Sequence, residues 1–302
     1  ASKSIVETCK KNGIKIDVVI GGHDHDFVHP DTKLNIYYPQ PFSDSMYKMN
    51  LVNNKGSRSV TDVDMIESEH LSVDSLFSKD LDDYEKSSGL LDKVAPYTLN
   101  LPKRYSKPCP LGSFLADEMK SVTDADIAFF STGFLMKPME YRKNAYITNY
   151  LFKKTMIAET PIKTVELDTA QLKEVFQHAL RTNGYGSSNP RFLQCSNNIK
   201  IEGQNNPQLG IWEVKQIYVD EKPLLDKNGN PLSIGQKFRC AIDSYIADGG
   251  QGFKTLQEAP KNDILVNGEP VKINEVLMNG LKKAPEIYDA GTEYPQFSLV
   301  EM

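Results

Sequence analysis

Cysteine is scarce in this chain, and its four copies, Cys9, Cys109, Cys195 and Cys240, are far apart and form no Cys-x-x-Cys pair. That spacing excludes zinc fingers and disulfide-built scaffolds. No apolar run is long enough to span a bilayer, and the stretch before Val19 carries Lys3, Lys10, Lys11, Lys15 and Asp17 where a signal peptide would be apolar. Long basic blocks are missing too, and the net charge is -5 with both signs interspersed. Nucleic acid and anionic membrane are therefore poor partners. No Asn-x-Ser/Thr acceptor occurs among the many asparagines, which points to a cytoplasmic protein. No Gly-x-Ser-x-Gly elbow is present, and the glycines at 249–252 are not followed by Lys-Ser/Thr. Serine-nucleophile and P-loop chemistry have no support.

The rest of the composition suffices for a folded protein: 302 residues, 39% hydrophobic and 25% charged, can fill one large or two modest cores. Ile5, Val6 and Cys9 at helical spacing, then Gly13 and an apolar stretch from Ile16 to Ile20, predict a helix–strand unit. Leu34 to Tyr38 and Met46 to Val52 can add strands to it. Leu71 to Val94 alternates acidic and basic residues around an irregular apolar stripe, which predicts a partly exposed linking helix. Asp168 to Arg181 predicts a capped helix: Gln171 holds the capping-box position, and Leu172, Val175, Phe176, Ala179 and Leu180 share one face. His178 lies near that stripe as a packed or surface histidine. Trp212 to Val219, a turn at Asp226–Pro231 and Phe238 to Ile242 predict a β-hairpin.

The most informative stretch is Asp17-Val18-Val19-Ile20-Gly21-Gly22-His23-Asp24-His25-Asp26. An apolar run breaks at two glycines and delivers two histidines one residue apart. Glycine tolerates the backbone of a ligand loop, and imidazoles at i and i+2 can reach adjacent metal ions. Gly-Gly-His-x-His after a strand resembles the last metal motif of the calcineurin-like metallophosphoesterases. The longer C-terminal part of the chain resembles the C-terminal domain of the 5′-nucleotidases, through Leu111–Asp117, Ala125–Ala128, Phe192–Ser196 and Ala247–Phe253, in the family's order.

The resemblance implies an α/β fold: the tail of a metallophosphatase β-sandwich with flanking helices over 1–70, a linker helix over 71–96, and a separate α/β domain with a mixed sheet over 97–302. It implies two divalent ions, zinc, manganese or similar, in the full-length protein, with His23 and His25 as ligands. The family's Asp-x-His and Gly-Asn-His motifs do not occur in this chain. The chain is accordingly expected to be one piece of a longer polypeptide, whose N-terminal part of the metallophosphoesterase domain would be its partner.

In the second domain the resemblance makes Tyr245 the base-stacking residue, although a tyrosine in Asp243-Ser244-Tyr245-Ile246 also suits a core position. The family's ribose-binding Asp is Gln251 here. Its substrate arginine has become Met136, followed by Lys137, in a segment beginning at Ser131. Its second stacking aromatic aligns near Ala158, and an upstream segment keeps the cations Arg104 and Lys107 but not the Glu and Asn. Methionine cannot replace a bidentate arginine. The resemblance implies a metal-dependent phosphoesterase acting on nucleotide or related phosphomonoesters, with Tyr245, Gln251, Arg104, Lys107, Ser131 and Lys137 facing the ligand. The altered pocket also fits a catalytically degenerate relative, a structural or binding component of a larger protein assembly, a cytoskeletal one included.

Overall fold

The computed structural model describes residues 2–22, 30–39, 45–54, 57–67, 70–72, 74–96, 108–135, 146–156, 159–180, 191–206, 208, 211–283 and 297–300. They divide into two compact units, at Asp83 and Tyr84.

The first unit starts with helix α1 (Ser2–Lys11) and a short parallel pair, β1 (Val19–Ile20) with β2 (Ile36–Tyr37). Next come a long antiparallel ribbon, β3 (Ser45–Asn54) with β4 (Ser57–Glu67), and helix α2 (Ser75–Ser87), which crosses the division. Met46 to Val52 thus lies in a ribbon with β4, a strand the sequence pattern did not suggest, instead of extending the β1–β2 pair. Among the described residues up to Asp83 only Ile36, Tyr37 and Ser45 are buried, while Ile5, Ile14, Ile20, Leu51, Leu76 and Phe77 are exposed. His23 and His25 lie outside the described residues.

The second unit contains β5 (Lys93–Pro96), α3 (Pro110–Thr123), β6 (Ile127–Ser131), β7 (Tyr146–Thr148), α4 (Asn149–Thr155), β8 (Ile162–Asp168), α5 (Thr169–Leu180) and β9 (Leu193–Cys195). It continues with β10 (Ile199–Asn206), β11 (Ile211–Val219), β12 (Lys222–Pro223), β13 (Lys237–Asp243), α6 (Ser244–Ala247) and α7 (Lys254–Glu258). Last come β14 (Lys261–Asp263), β15 (Leu265–Val266), β16 (Glu269–Pro270), α8 (Ile273–Lys283) and β17 (Phe297–Val300). The main sheet is mixed, in the order β14-β8-β13-β6-β9, and only β13 and β6 run parallel.

Alternation along these strands splits the interior in two. Ile127 and Phe129 of β6, Val165 and Leu167 of β8, and Cys240 and Ile242 of β13 join the stripe of α5 and the inner face of the second sheet, β12-β11-β10-β17. Ala128, Phe130 and Ala241 face the other way, with α3 and α8 residues such as Leu111, Leu115, Val276 and Leu277. A strand covered on both faces reads as a continuous apolar run, as Ile-Ala-Phe-Phe does here.

Helix α5 has its predicted pattern: the five stripe residues are all buried. Asp168 Oδ1 accepts from the Gln171 amide at 2.8 Å, and Gln171 Oε1 accepts from the Asp168 amide at 3.0 Å. Gln171→Ala breaks half of this reciprocal cap and should lower stability by about 1 kcal/mol, read by urea unfolding.

The predicted hairpin does not form. Trp212 to Val219 pairs with β10 and β12, whereas Phe238 to Ile242 sits between β6 and β8 in the other sheet. The intervening turn is as expected, closed by Asp226 Oδ1 on the amides of Asn228 and Asn230. No helix among the described residues is long and apolar enough to cross a membrane.

Candidate functional site

Since β6 and β13 are neighbours and parallel, their carboxyl ends emerge at one edge of the sheet, the place where open α/β sheets present ligand sites. Ser131 ends β6 and leads into a single 3-10 turn, Thr132–Phe134; Asp243 ends β13 and caps α6. Four segments meet there: the 3-10 turn, α6, the glycine loop at 249–252, and the last turn of α5.

The Asp243 carboxylate ties the first two together. Its Oδ2 accepts from the Ser131 amide at 2.9 Å and its Oδ1 from the Ile246 amide at 3.0 Å. The side chain is fully buried, and burial pushes its carboxyl up to about 6, against the pull of these amides.

Tyr245, on the exposed side of α6, is 49% exposed, whereas its neighbours Ile242, Ile246 and Phe253 are buried. The ring meets Phe134 edge to face, with centroids 6.3 Å apart. Gly250 lies directly against it: a Cβ there would fall 2.5 Å from the Tyr245 carbonyl oxygen and 2.7 Å from its ring.

Gln251 has a left-handed backbone (φ 54), flanked by Gly249 (φ 91) and Gly252 (φ 85). Its Nε2 donates to Ser131 Oγ at 3.2 Å, and its Oε1 is buried without a hydrogen-bond partner among the described residues. A buried amide oxygen left without a partner costs free energy, which marks this position as one that packing alone does not explain. His178 Nε2 lies 3.0 Å from the Gln251 carbonyl oxygen, and the ring packs edge-on against Phe253 at 4.6 Å. His178 is thus the packed histidine of the sequence reading, with the added task of bracing the loop. It also lines a groove of about 740 Å³ between α5 and β11.

Of the sequence-predicted residues, the fold brings together Tyr245, Gln251 and Ser131. Arg104, Lys107, Lys137, Met136 and Ala158 lie outside the described residues. Phe134 and Asp243 are additions from the structure. Asp followed by Ser at the head of a short helix is an N-cap signature that could have singled out Asp243; Phe134 had no such signal. Among the described residues no three His, Cys, Asp or Glu side chains converge as a metal site. Two imidazoles alone, those of His23 and His25, are too few to fill the coordination spheres of two ions.

Comparison with known proteins places this geometry. Residues 90–258 match the family model for the 5′-nucleotidase C-terminal domain. A search of curated proteins by sequence finds no match. Among solved structures, a 5′-nucleotidase precursor from Thermus thermophilus aligns over 99% of this chain and 66% of its own, with a TM-score of 0.69 at 15% identity. A putative 5′-nucleotidase from Staphylococcus aureus aligns over 99% and 58%, with a TM-score of 0.62 at 13% identity. A sulfate thiohydrolase from Thermus thermophilus aligns over 98% and 52%, with a TM-score of 0.65 at 16% identity. At such identities the likeness is one of fold, and the chain spans 52% to 66% of the length of these proteins.

Proposed function

We infer, from the premise that this chain belongs to the 5′-nucleotidase C-terminal domain family, that its second unit binds the nucleoside part of a nucleotide or related phosphomonoester, for hydrolysis by the full-length protein. The half-exposed Tyr245 ring beside the open Gln251 acceptor carries this reading. A flat base needs an aromatic face, and ribose hydroxyls or base amino groups need a nearby acceptor. Phe134 braces the tyrosine edge-on, which holds one face of the ring in place. Ser131 Oγ accepts from Gln251 Nε2, which leaves Oε1, buried in this structure, as the unused acceptor that a small shift of the loop would present to a ligand. Arg104, Lys107 and Lys137 are the cations we assign to the phosphate end.

Two divalent ions belong to this reading, with His23 and His25 among their ligands and the rest supplied from outside this chain's motifs. When bound, they supply Lewis acidity toward the phosphoryl oxygens. The partner we assign to the first unit is the remainder of a metallophosphoesterase domain. In support, a two-stranded parallel pair is not stable alone, and a unit whose described residues bury so few side chains while exposing Ile20, Leu51 and Phe77 is suited to a covering surface.

A binding role without catalysis is the second reading. It is favoured by Gln251 itself, a neutral amide where the family has an aspartate. Calorimetric titration of adenosine into the chain tests the common part of both readings. Saturable binding with a Kd below about 1 mM is expected; no binding at that concentration would overturn them. Phosphate release by the metal-loaded full-length protein then separates enzyme from binder.

A further inference from the structure

We propose that Asp243 is the positioning residue of this site, a carboxylate that sets the distance between its two walls without touching the ligand. The proposal rests on the nucleoside-binding reading above. The ladder between β13 and β6 ends at the pair Ile242 and Phe129. Beyond it Ser131 is paired only outward, to Leu193 of β9, and Asp243 only outward, to Ile162 of β8, and between the two strands the Asp243 side chain takes over as the next link, through Oδ2 to the Ser131 amide. Its other oxygen holds the Ile246 amide, and so the helical turn that carries Tyr245. One group thereby fixes the segment leading to Phe134, the Tyr245 platform and, through Ser131 Oγ, the Gln251 amide.

A buried carboxylate is a poor way to stabilise a core, because its desolvation cost would be avoided by an apolar residue of similar size. Its use here is geometric: two amides from different segments need two acceptor oxygens on one rigid planar group. Protonation puts a hydrogen on one of those oxygens, so that one amide loses its acceptor and the tie slackens. The charged and titratable side chains of the surrounding elements are Lys163 on β8, paired with Asp248 at 3.1 Å, and His178 on α5.

Asp243→Asn tests this, since asparagine keeps the shape but has a single acceptor oxygen. Adenosine binding at about pH 7.5 should weaken by roughly tenfold or more in D243N. In the wild type it should weaken as pH falls toward about 5.5, in D243N it should stay flat, and in H178Q the pH step should persist. Amide hydrogen exchange should rise together in residues 129–134 and 244–250 of D243N, with residues 162–168 unchanged. A lower Tm with unaltered affinity, pH profile and exchange in those two segments would reduce Asp243 to a structural role, and loss of the pH step in H178Q would move the effect to the histidine. If the wild type binds no adenosine, the nucleoside reading fails, and the exchange measurement decides by itself: joint loosening of the two segments supports the tie, and their continued protection overturns it.

Discussion

Tyr245→Ala is expected to weaken adenosine binding by roughly 10- to 100-fold while leaving the fold in place. A base stacked on an aromatic ring loses on the order of 1–3 kcal/mol when the ring is removed, and each 1.4 kcal/mol or so is a factor of ten. The ring is 49% exposed, so removing it opens no cavity of the kind that makes a buried phenylalanine cost about 3–5 kcal/mol. Thermal unfolding of the variant should therefore stay within about 2 °C of wild type. A large drop in Tm with unchanged affinity would assign the ring to packing and remove it from the ligand site.

The second large effect is a dependence of stability on pH that runs opposite to ordinary acid denaturation. The Asp243 carboxyl is raised from its usual 3.8 to about 6 in the folded protein. Its contribution is fully present below about pH 4, where both states hold the proton, and is lost as pH rises through 6, because the folded state must then bury a charge. The size is on the order of 2–3 kcal/mol. Asparagine does not titrate, so D243N should gain on the wild type by about that amount between pH 4 and pH 7. Urea unfolding monitored through Trp212, which packs in the same core as Ile242, measures the difference at each pH. A constant difference across that range would show that the buried carboxylate does not titrate there.

Helix α5 was legible in the sequence because everything that forms it is local: an aspartate, a glutamine three residues on, and five apolar side chains on one face. The turn at Asp226 was legible for the same reason. The partners of β11 and β13 were not, since closeness along the chain favoured a hairpin, while the actual neighbours, β10 on one side and β6 and β8 on the other, are chosen by which apolar faces fit together across long separations. The register shift between β10 and β11 falls in β11, where Lys215 is the extra residue and breaks the alternation of Trp212, Val214, Ile217 and Val219. The placement of Tyr245, Gln251 and Ser131 at one sheet edge could be anticipated only through family resemblance, because residues 131 and 251 share no local pattern. Asp243 carries an N-cap signature for its bond to the Ile246 amide, but its second bond, to the Ser131 amide 112 residues away, leaves no trace in the sequence.

The close approach of Gly250 to Tyr245 has an evolutionary meaning. A side chain at 250 would compete for space with both the ring and the carbonyl oxygen of residue 245, so position 250 cannot drift freely. A lineage that gains even a methyl group at 250 must shift both the ring and the backbone carbonyl of residue 245, and replacing the ring with a small residue leaves the carbonyl in the way. Gain of a side chain at 250 in a descendant would thus displace the aromatic face even where the tyrosine is kept.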